Sequence, residues 1–425
     1  MRAGLGFVML ALMWFATAAS AANPTPPLST EGDAPPADDK FVSDTHAILP
    51  VAFDARILGD QQRTRFTMDI SRPVEFSIFR LADPYRLVID LPAMNFALPP
   101  ALGSSGGGLI SALRSGSISR GKSRVVLDLT GPVQIDNSFV MPAGSAQSPQ
   151  LVVELVPSDR DKFLAAARAD QLAGKNASVP ERPAEKPSST SAADWRPVVV
   201  LDPGHGGVDS GASAGGLNEK DITLAFSRLL GAKLAATGRY HSELTRDDDT
   251  YVRLGDRVEF ARKERAQLFI AIHADAFHGP VRGATVYTLS RHASSAIAAS
   301  IAAVENSSDI LAGLDTNEED AGEVAGILSD LARRETMSFS SILARALVND
   351  LRPITFLVKN PYQQAAFVVL RAPEVPSVLL ELGYLSNLDD RKLLGSREWR
   401  ERAAAAVVKA IDDYFDTRSK GAAVQ

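Results

Sequence analysis

The 425-residue chain contains no cysteine, three tryptophans and only six histidines. Without thiols it can form no disulfide staple, thiolate metal site, iron–sulfur cluster or cysteine nucleophile. Any metal must therefore be held by His and carboxylates. A surplus of positive charge is missing too. The 45 Lys and Arg against 51 Asp and Glu leave a net charge of −6, which argues against broad electrostatic capture of nucleic acid. The apolar stretch Leu5 to Phe15 is too short to span a bilayer comfortably. What remains is ordinary globular composition, 45% hydrophobic and 23% charged, which excludes a wholly disordered, collagenous or multi-span membrane protein. At about 150 residues per domain the length predicts two or three folded units.

The N-terminus carries an address. Arg2 precedes the apolar Leu5–Phe15 run, and the small residues Ala18-Ala19-Ser20-Ala21-Ala22 follow it. This order predicts a signal peptide over 1–22 and export of the mature chain, with no stable membrane insertion after cleavage. An uncleaved anchor is the alternative. A single Arg favours general secretion over a twin-arginine route. Residues 23–46, rich in Pro, Ala and Asp, read as a flexible leader.

Two blocks of different texture follow. Over 47–157 short runs alternate apolar with polar residues: Arg65–Ile70, Val74–Phe79, Arg86–Leu91, Arg124–Leu129 and Leu151–Leu155. A period of two predicts half-buried antiparallel strands and an all-β sandwich. The block lacks a catalytic constellation, so a binding or positioning role is expected. Residues 158–195 open with a short helix pattern and turn into a Pro, Ser, Glu and Lys linker. From 196 to 417 the rhythm is α/β. Continuously apolar runs at Val198–Leu201, Leu268–Ile272, Ala284–Leu289, Ala366–Leu370 and Val378–Leu382 read as buried strands of a mostly parallel sheet. Helices are expected at Asp221–Leu234 and Trp399–Phe415, and 418–425 is a tail.

The chemistry gathers at strand ends, where ligands sit in such sheets. The first strand runs into Asp202-Pro203-Gly204-His205-Gly206-Gly207, a tight open turn around His205. The second runs straight into His273-Ala274-Asp275. Between them Asn218-Glu219-Lys220-Asp221 opens a helix, which holds Glu219 on a rigid element. Two His and one Glu suit one catalytic Zn2+ with an open position for water. The bland reading is two unrelated loop histidines, and their recurrence at successive strand ends disfavours it. Glu381 ends the apolar run Val378-Leu379-Leu380. A carboxylate there is costly to bury unless it pairs, so it is either a salt-bridge partner or a general base facing the metal. Asp202 and Asp275 are candidates to orient a ligand imidazole or cap a loop. Arg246 is a candidate for an anionic substrate or a plain surface residue.

These motifs carry a resemblance. Leu201-Asp202-Pro203-Gly204-His205-Gly206-Gly207, Asn218-Glu219-Lys220-Asp221, Ile272-His273-Ala274-Asp275 and Leu380-Glu381-Leu382-Gly383-Tyr384-Leu385-Ser386-Asn387 occur in this order. Together they resemble the catalytic domain of the zinc-dependent N-acetylmuramoyl-L-alanine amidases, in the cell-division branch. The block 47–157 is similar, by pattern and order, to the peptidoglycan-targeting AMIN domain that precedes such amidases. The resemblance implies His205, Glu219 and His273 as zinc ligands, Glu381 as the catalytic glutamate, and peptidoglycan as substrate. It also implies a periplasmic enzyme enriched at the septum. A catalytically dead wall-binding scaffold and a zinc carboxypeptidase acting on stem peptides are the competing readings.

One segment is too long to be a simple connection. Residues 291–360 separate two expected strands, and long loops usually carry function. An Ala-rich helix pattern ends at Glu305-Asn306. An acidic loop follows, and Val324, Ile327, Leu328 and Leu331 then form an apolar stripe. Packing of that stripe on its own domain is the ordinary outcome. The resemblance implies instead that the insertion inhibits the enzyme until a LytM-domain activator protein docks on the stripe, with Glu305 covering the zinc. Glu318, Glu319 and Glu323 are weaker candidates for that carboxylate.

Overall fold

The computed structural model describes residues 49–99, 106–119, 121–144, 147–173, 195–277, 279, 281–314 and 327–422. The expected signal peptide, the leader and most of the 158–195 linker lie outside the described residues, as do Val324, Glu318, Glu319 and Glu323. Among the described residues no helix is long and apolar enough to cross a membrane.

Alternation in the N-terminal block builds two facing sheets. Its strands are β1 (Val51–Gly59), β2 (Thr64–Ile70), β3 (Ser77–Leu81), β4 (Arg86–Pro92), β5 (Asn95–Phe96), β6 (Ile110–Ser119), β7 (Lys122–Leu129), β8 (Val133–Met141) and β9 (Gln150–Pro157). They pair in the orders β5-β1-β2-β9-β8 and β3-β4-β7-β6. Phe66, Met68, Leu87, Ile89, Val125, Leu127, Leu151 and Val153 fill one core between the sheets. Helix α1 (Arg160–Leu172) adds Phe163 to it, so the folded unit extends beyond residue 157. Four strands escape the alternation test, among them the two-residue β5. Strand β6 carries Ser115-Gly116-Ser117 in its middle, β8 is an exposed polar edge with a register shift, and β1 is only half-buried.

The second block supplies β10 (Val198–Pro203), the small pair β11 (Ser213–Ala214) and β12 (Leu217–Asn218), α2 (Glu219–Thr237), β13 (His241–Leu244), α3 (Leu254–Lys263), β14 (Leu268–His273) and β15 (Ala284–Leu289). It continues with α4 (Ala296–Glu305), α5 (Ser308–Leu311), α6 (Ile327–Leu351), β16 (Leu357–Ala365), β17 (Ser377–Glu381), α7 (Leu388–Gly395) and α8 (Arg397–Ala422). Six strands form one sheet in the order β13-β10-β14-β17-β15-β16, parallel throughout except where β15 meets β17. In α2, Ile222, Phe226, Leu230 and Leu234 recur every four residues and face this sheet. With α6 and α8 that helix covers one face, while α3, α4 and the segment around Phe367 cover the other. Each large aliphatic side chain buried this way contributes about 1.5–3 kcal/mol. Truncating Leu230 to Ala would cost about 2–5 kcal/mol.

Four expectations need correction. The strand expected at Val74–Phe79 is β3, Ser77–Leu81, and the expected tail 418–425 is helical to Ala422 as the end of α8. Residues Ala366–Leu370 are not a strand: β16 ends at Ala365, and Val368–Leu370 make a 3-10 turn. The true strand, Leu-Val-Lys-Asn-Pro-Tyr-Gln-Gln-Ala, hides behind Pro361 and its polar residues. An edge position tolerates both, since one side needs no ladder hydrogen bonds. The segment 291–360 is also not wholly an insertion. Leu343, Ala344, Leu347, Val348 and Leu351 of α6 sit in the main core, so the latter half of that helix belongs to the domain itself.

Candidate metal centre

Parallel strands aim their C-terminal ends at one edge of the sheet, and five side chains converge there. His205 stands two residues past β10, in left-handed backbone (φ 58°) that only a constrained loop maintains. His273 is the last residue of β14, Glu219 the first of α2, and Glu381 the last of β17, in register with His273. Glu305 closes α4. All five are buried.

The imidazole and carboxylate atoms face a common point. His205 Nε2 lies 3.2 Å from Glu219 Oε2 and 3.5 Å from Glu305 Oε2. His273 Nδ1 lies 3.1 Å from Glu219 Oε1 and 3.0 Å from Glu305 Oε2. One ligand atom from each of the four falls within 4.8 Å of all the others. Nitrogen and oxygen donors at such separations form the set a zinc-like cation takes. His205 Nε2 and Glu305 Oε1 find no hydrogen-bond partner, although both are buried. Buried polar atoms are normally satisfied, so these two mark the fit of a cation. Gly204 makes the close approach feasible, since a Cβ there would stand 2.5 Å from His273 Cε1.

Electrostatics point the same way. Burial disfavours charge on His205, but the carboxylates of Glu219, Asp209 and Glu305 outweigh it and hold the imidazole well above its usual value. Burial is likewise overcome at His273, where Glu305 and Glu219 push the ring up to about 10. Glu219 is held well below the carboxylate range by the two histidines, despite its burial. Without a metal the cluster would keep protons that a divalent cation displaces.

Glu381 is different. It is completely buried, and burial above all, then the neighbouring Asp275, Glu219 and Glu305 carboxylates, raises it well above the usual range against the pull of His273. The Asp275 amide donates to Oε2 at 3.2 Å, while Oε1 has no partner. No salt-bridge cation reaches Glu381 among the described residues, so the expected ion pair is not seen there. Asp275 itself is pushed up to about 7, first by burial and then by Glu219 and Glu305.

Some expected roles move to other residues. Among the described residues Asp202 makes no hydrogen bond to either imidazole. It accepts from Thr245 Oγ1 and from Arg257 Nη1 at 2.8 Å, and Arg257 then donates to the Pro203 and His205 carbonyls, bracing the turn. The group that orients His205 is Asp209, 3.0 Å from Nδ1, held near pKa 2 because His205 outweighs its burial. Asp209 also accepts from Gly211 N at 3.0 Å and from Ser308 Oγ on α5. An Asp four residues after a ligand-type His in a glycine turn was the available signal. Arg246 is neither a surface group nor aimed at a substrate: it is buried and donates to the carbonyls of Pro203, Gly204, Lys220 and Asp248. Ile327, Leu328 and Leu331 fall in the first turns of α6.

Known proteins share these elements. Residues 199–413 match the family model described as N-acetylmuramoyl-L-alanine amidase, and residues 54–154 match the AMIN domain. The chain is 32% identical over 381 residues to N-acetylmuramoyl-L-alanine amidase AmiC of Neisseria meningitidis serogroup B, covering 85% of this chain and 89% of that protein. Similarity to AmiC of Escherichia coli O6:H1 runs to 31% over 375 residues, with 85% and 88% covered. AmiA of Escherichia coli K12 is 40% identical over 233 residues, 54% of this chain and 80% of AmiA.

Proposed function

Because the chain belongs to the N-acetylmuramoyl-L-alanine amidases and carries an AMIN domain, we propose that it is an exported, zinc-dependent peptidoglycan amidase held inactive by its own Glu305. The bond cut joins the lactyl group of N-acetylmuramic acid to L-alanine of the stem peptide. The observation that carries the reading is the convergence of His205, Glu219 and His273 beside an unpartnered Glu381 oxygen.

In this reading His205, Glu219 and His273 hold one Zn2+. When bound there, the ion would supply Lewis acidity toward a water and the scissile carbonyl. The protein's residues do the rest. Asp209 fixes the His205 ring so that Nε2 faces the Glu219 and Glu305 carboxylates, where the ion would be held. Glu381 Oε1 takes a proton from the attacking water and delivers it to the nitrogen of the leaving L-alanine amine. Its raised affinity for a proton suits that shuttle. The Asp275 amide keeps the other oxygen still.

Glu305 occupies the fourth place around the same point, where water and substrate would need to enter. We assign it the inhibitory role, with release by a LytM-domain activator docking near the start of α6. Export to the periplasm, septal enrichment through the AMIN domain and a part in daughter-cell separation complete the proposal.

The test is digestion of purified sacculi with and without chelator, read by mass spectrometry. Intact stem peptides bearing a free L-alanine amine, lost on chelation, are the expected products. Cleavage inside the stem peptide would instead mark a carboxypeptidase.

A further inference from the structure

The segment that carries Glu305 is gripped at its far end by the N-terminal β domain. Arg124 on β7, 1% exposed, gives Nε and Nη2 to Asp90 at 2.6 and 2.9 Å. Its remaining nitrogen, Nη1, donates to Gly313 O at 2.9 Å and Ala312 O at 3.3 Å. Arg86 on β4, also buried, donates to Ile310 O. These carbonyls stand at and just past the end of the short helix α5, where Ile310 O also accepts from Gly313 N at 3.0 Å. Ala312 and Leu314 complete the grip by packing with Ile118 and Val126 of the β domain and Val208 and Tyr251 of the catalytic block. Gly313 is in left-handed backbone (φ 70°), and a Cβ there would meet Val126 at 3.0 Å and Val88 at 3.1 Å. The same domain touches the turn that carries His205, through Val208 N donating to Ser117 O at 3.0 Å.

We propose that the N-terminal β domain is an intramolecular latch as well as a targeting module. Its β3-β4-β7-β6 sheet holds residues 308–314 and thereby keeps Glu305 against His205 and His273. The proposal rests on the inhibitory role assigned to Glu305. Its physical basis is the cost of opening. If the segment leaves, Arg124 and Arg86 lose their hydrogen bonds to its carbonyls, and the apolar patch of Ile118 and Val126 is uncovered to water. Other ties on the segment come from the catalytic block: Asp309 Oδ1 accepts from Tyr251 Oη at 2.6 Å and from Leu254 N at 3.1 Å. The two domains thus share the closed position, and loosening either one favours release.

The experiment uses the full-length, zinc-loaded chain with Arg124→Lys and Gly313→Val, each alone and combined with Glu305→Ala. Arg124→Lys keeps the charge beside Asp90 but cannot also reach two carbonyls, which protects the fold. Gly313→Val crowds Val88 and Val126 from the other side. Two readouts are taken: hydrogen exchange of the 305–314 amides, and basal release of dye from labelled sacculi. Both variants should speed exchange and raise the basal rate by about tenfold, the scale of one charge-assisted hydrogen bond. Neither should add to the rate of Glu305→Ala. If Glu305→Ala raises the rate while both latch variants leave exchange and rate unchanged, the latch is overturned and the Glu305 block stands. If Glu305→Ala leaves the rate unchanged, the block itself fails, and the regulatory role of the latch falls with it.

Discussion

Oε2 of Glu305 lies 3.0 Å from Nδ1 of His273, although the two residues come from different elements and Glu305 belongs to a segment outside the four motifs. The contact joins the apparatus for hydrolysis to the segment proposed to restrain it. Removing Glu305 as Glu305→Ala should raise activator-free hydrolysis of sacculi by an order of magnitude or more. Only a carboxylate of this reach can fill the position, so Glu305→Asp should fall between wild type and Ala. A wild-type enzyme that is fully active alone, with no gain from Glu305→Ala, would end the autoinhibition idea.

Glu381→Gln should keep a full complement of zinc and lose about 10²–10⁴ in turnover, because the amide preserves shape and removes the base. Metal content by elemental analysis and rate by dye release are measured on the same preparation. Near-normal turnover would take Glu381 out of the mechanism.

Asp209 offers a finer test of the metal site. Asp209→Asn should weaken zinc binding by about 10–100-fold, the usual effect of losing the carboxylate behind a ligand imidazole. His205→Ala should lose the metal altogether. Competition with a chromogenic chelator ranks the three proteins. Equal affinity in wild type and Asp209→Asn would show that His205 needs no such support.

Arg257 is buried against Asp202, and truncation leaves that carboxylate without its cation. Arg257→Ala should destabilise the fold by about 3–5 kcal/mol, read as a shift of the denaturant midpoint. A midpoint within error of wild type would mean that Thr245 alone satisfies Asp202.

A fragment from Leu49 to Leu172 should sediment with sacculi and leave them uncut. It includes α1 because Phe163 closes the core of the β domain. If it stays in the supernatant, the catalytic block or a partner does the targeting.

The sequence was most legible where structure is local. Apolar runs placed β10, β14, β15 and β17; the residues just beyond three of them supplied His205, His273 and Glu381, while Glu219 came from the start of α2. Legibility failed at β16 and β8, whose edge positions let polar residues and Pro361 stand where an interior strand would exclude them. It failed again at Arg246, because a buried arginine paired with carbonyls has the same local spelling as an exposed one.

The sequence by itself determined which residue types stand at the strand ends, because a parallel sheet delivers successive ends to one edge whatever lies between them. Tertiary structure decided the rest. It set Glu305 among the histidines, joined Ser308 to Asp209, and brought Arg124 onto the carbonyl of Gly313. Periodicity reports which face of an element is apolar. It does not report where a chain passes after a long connection, and so the contacts proposed to govern opening of the site appear only once both domains are folded together.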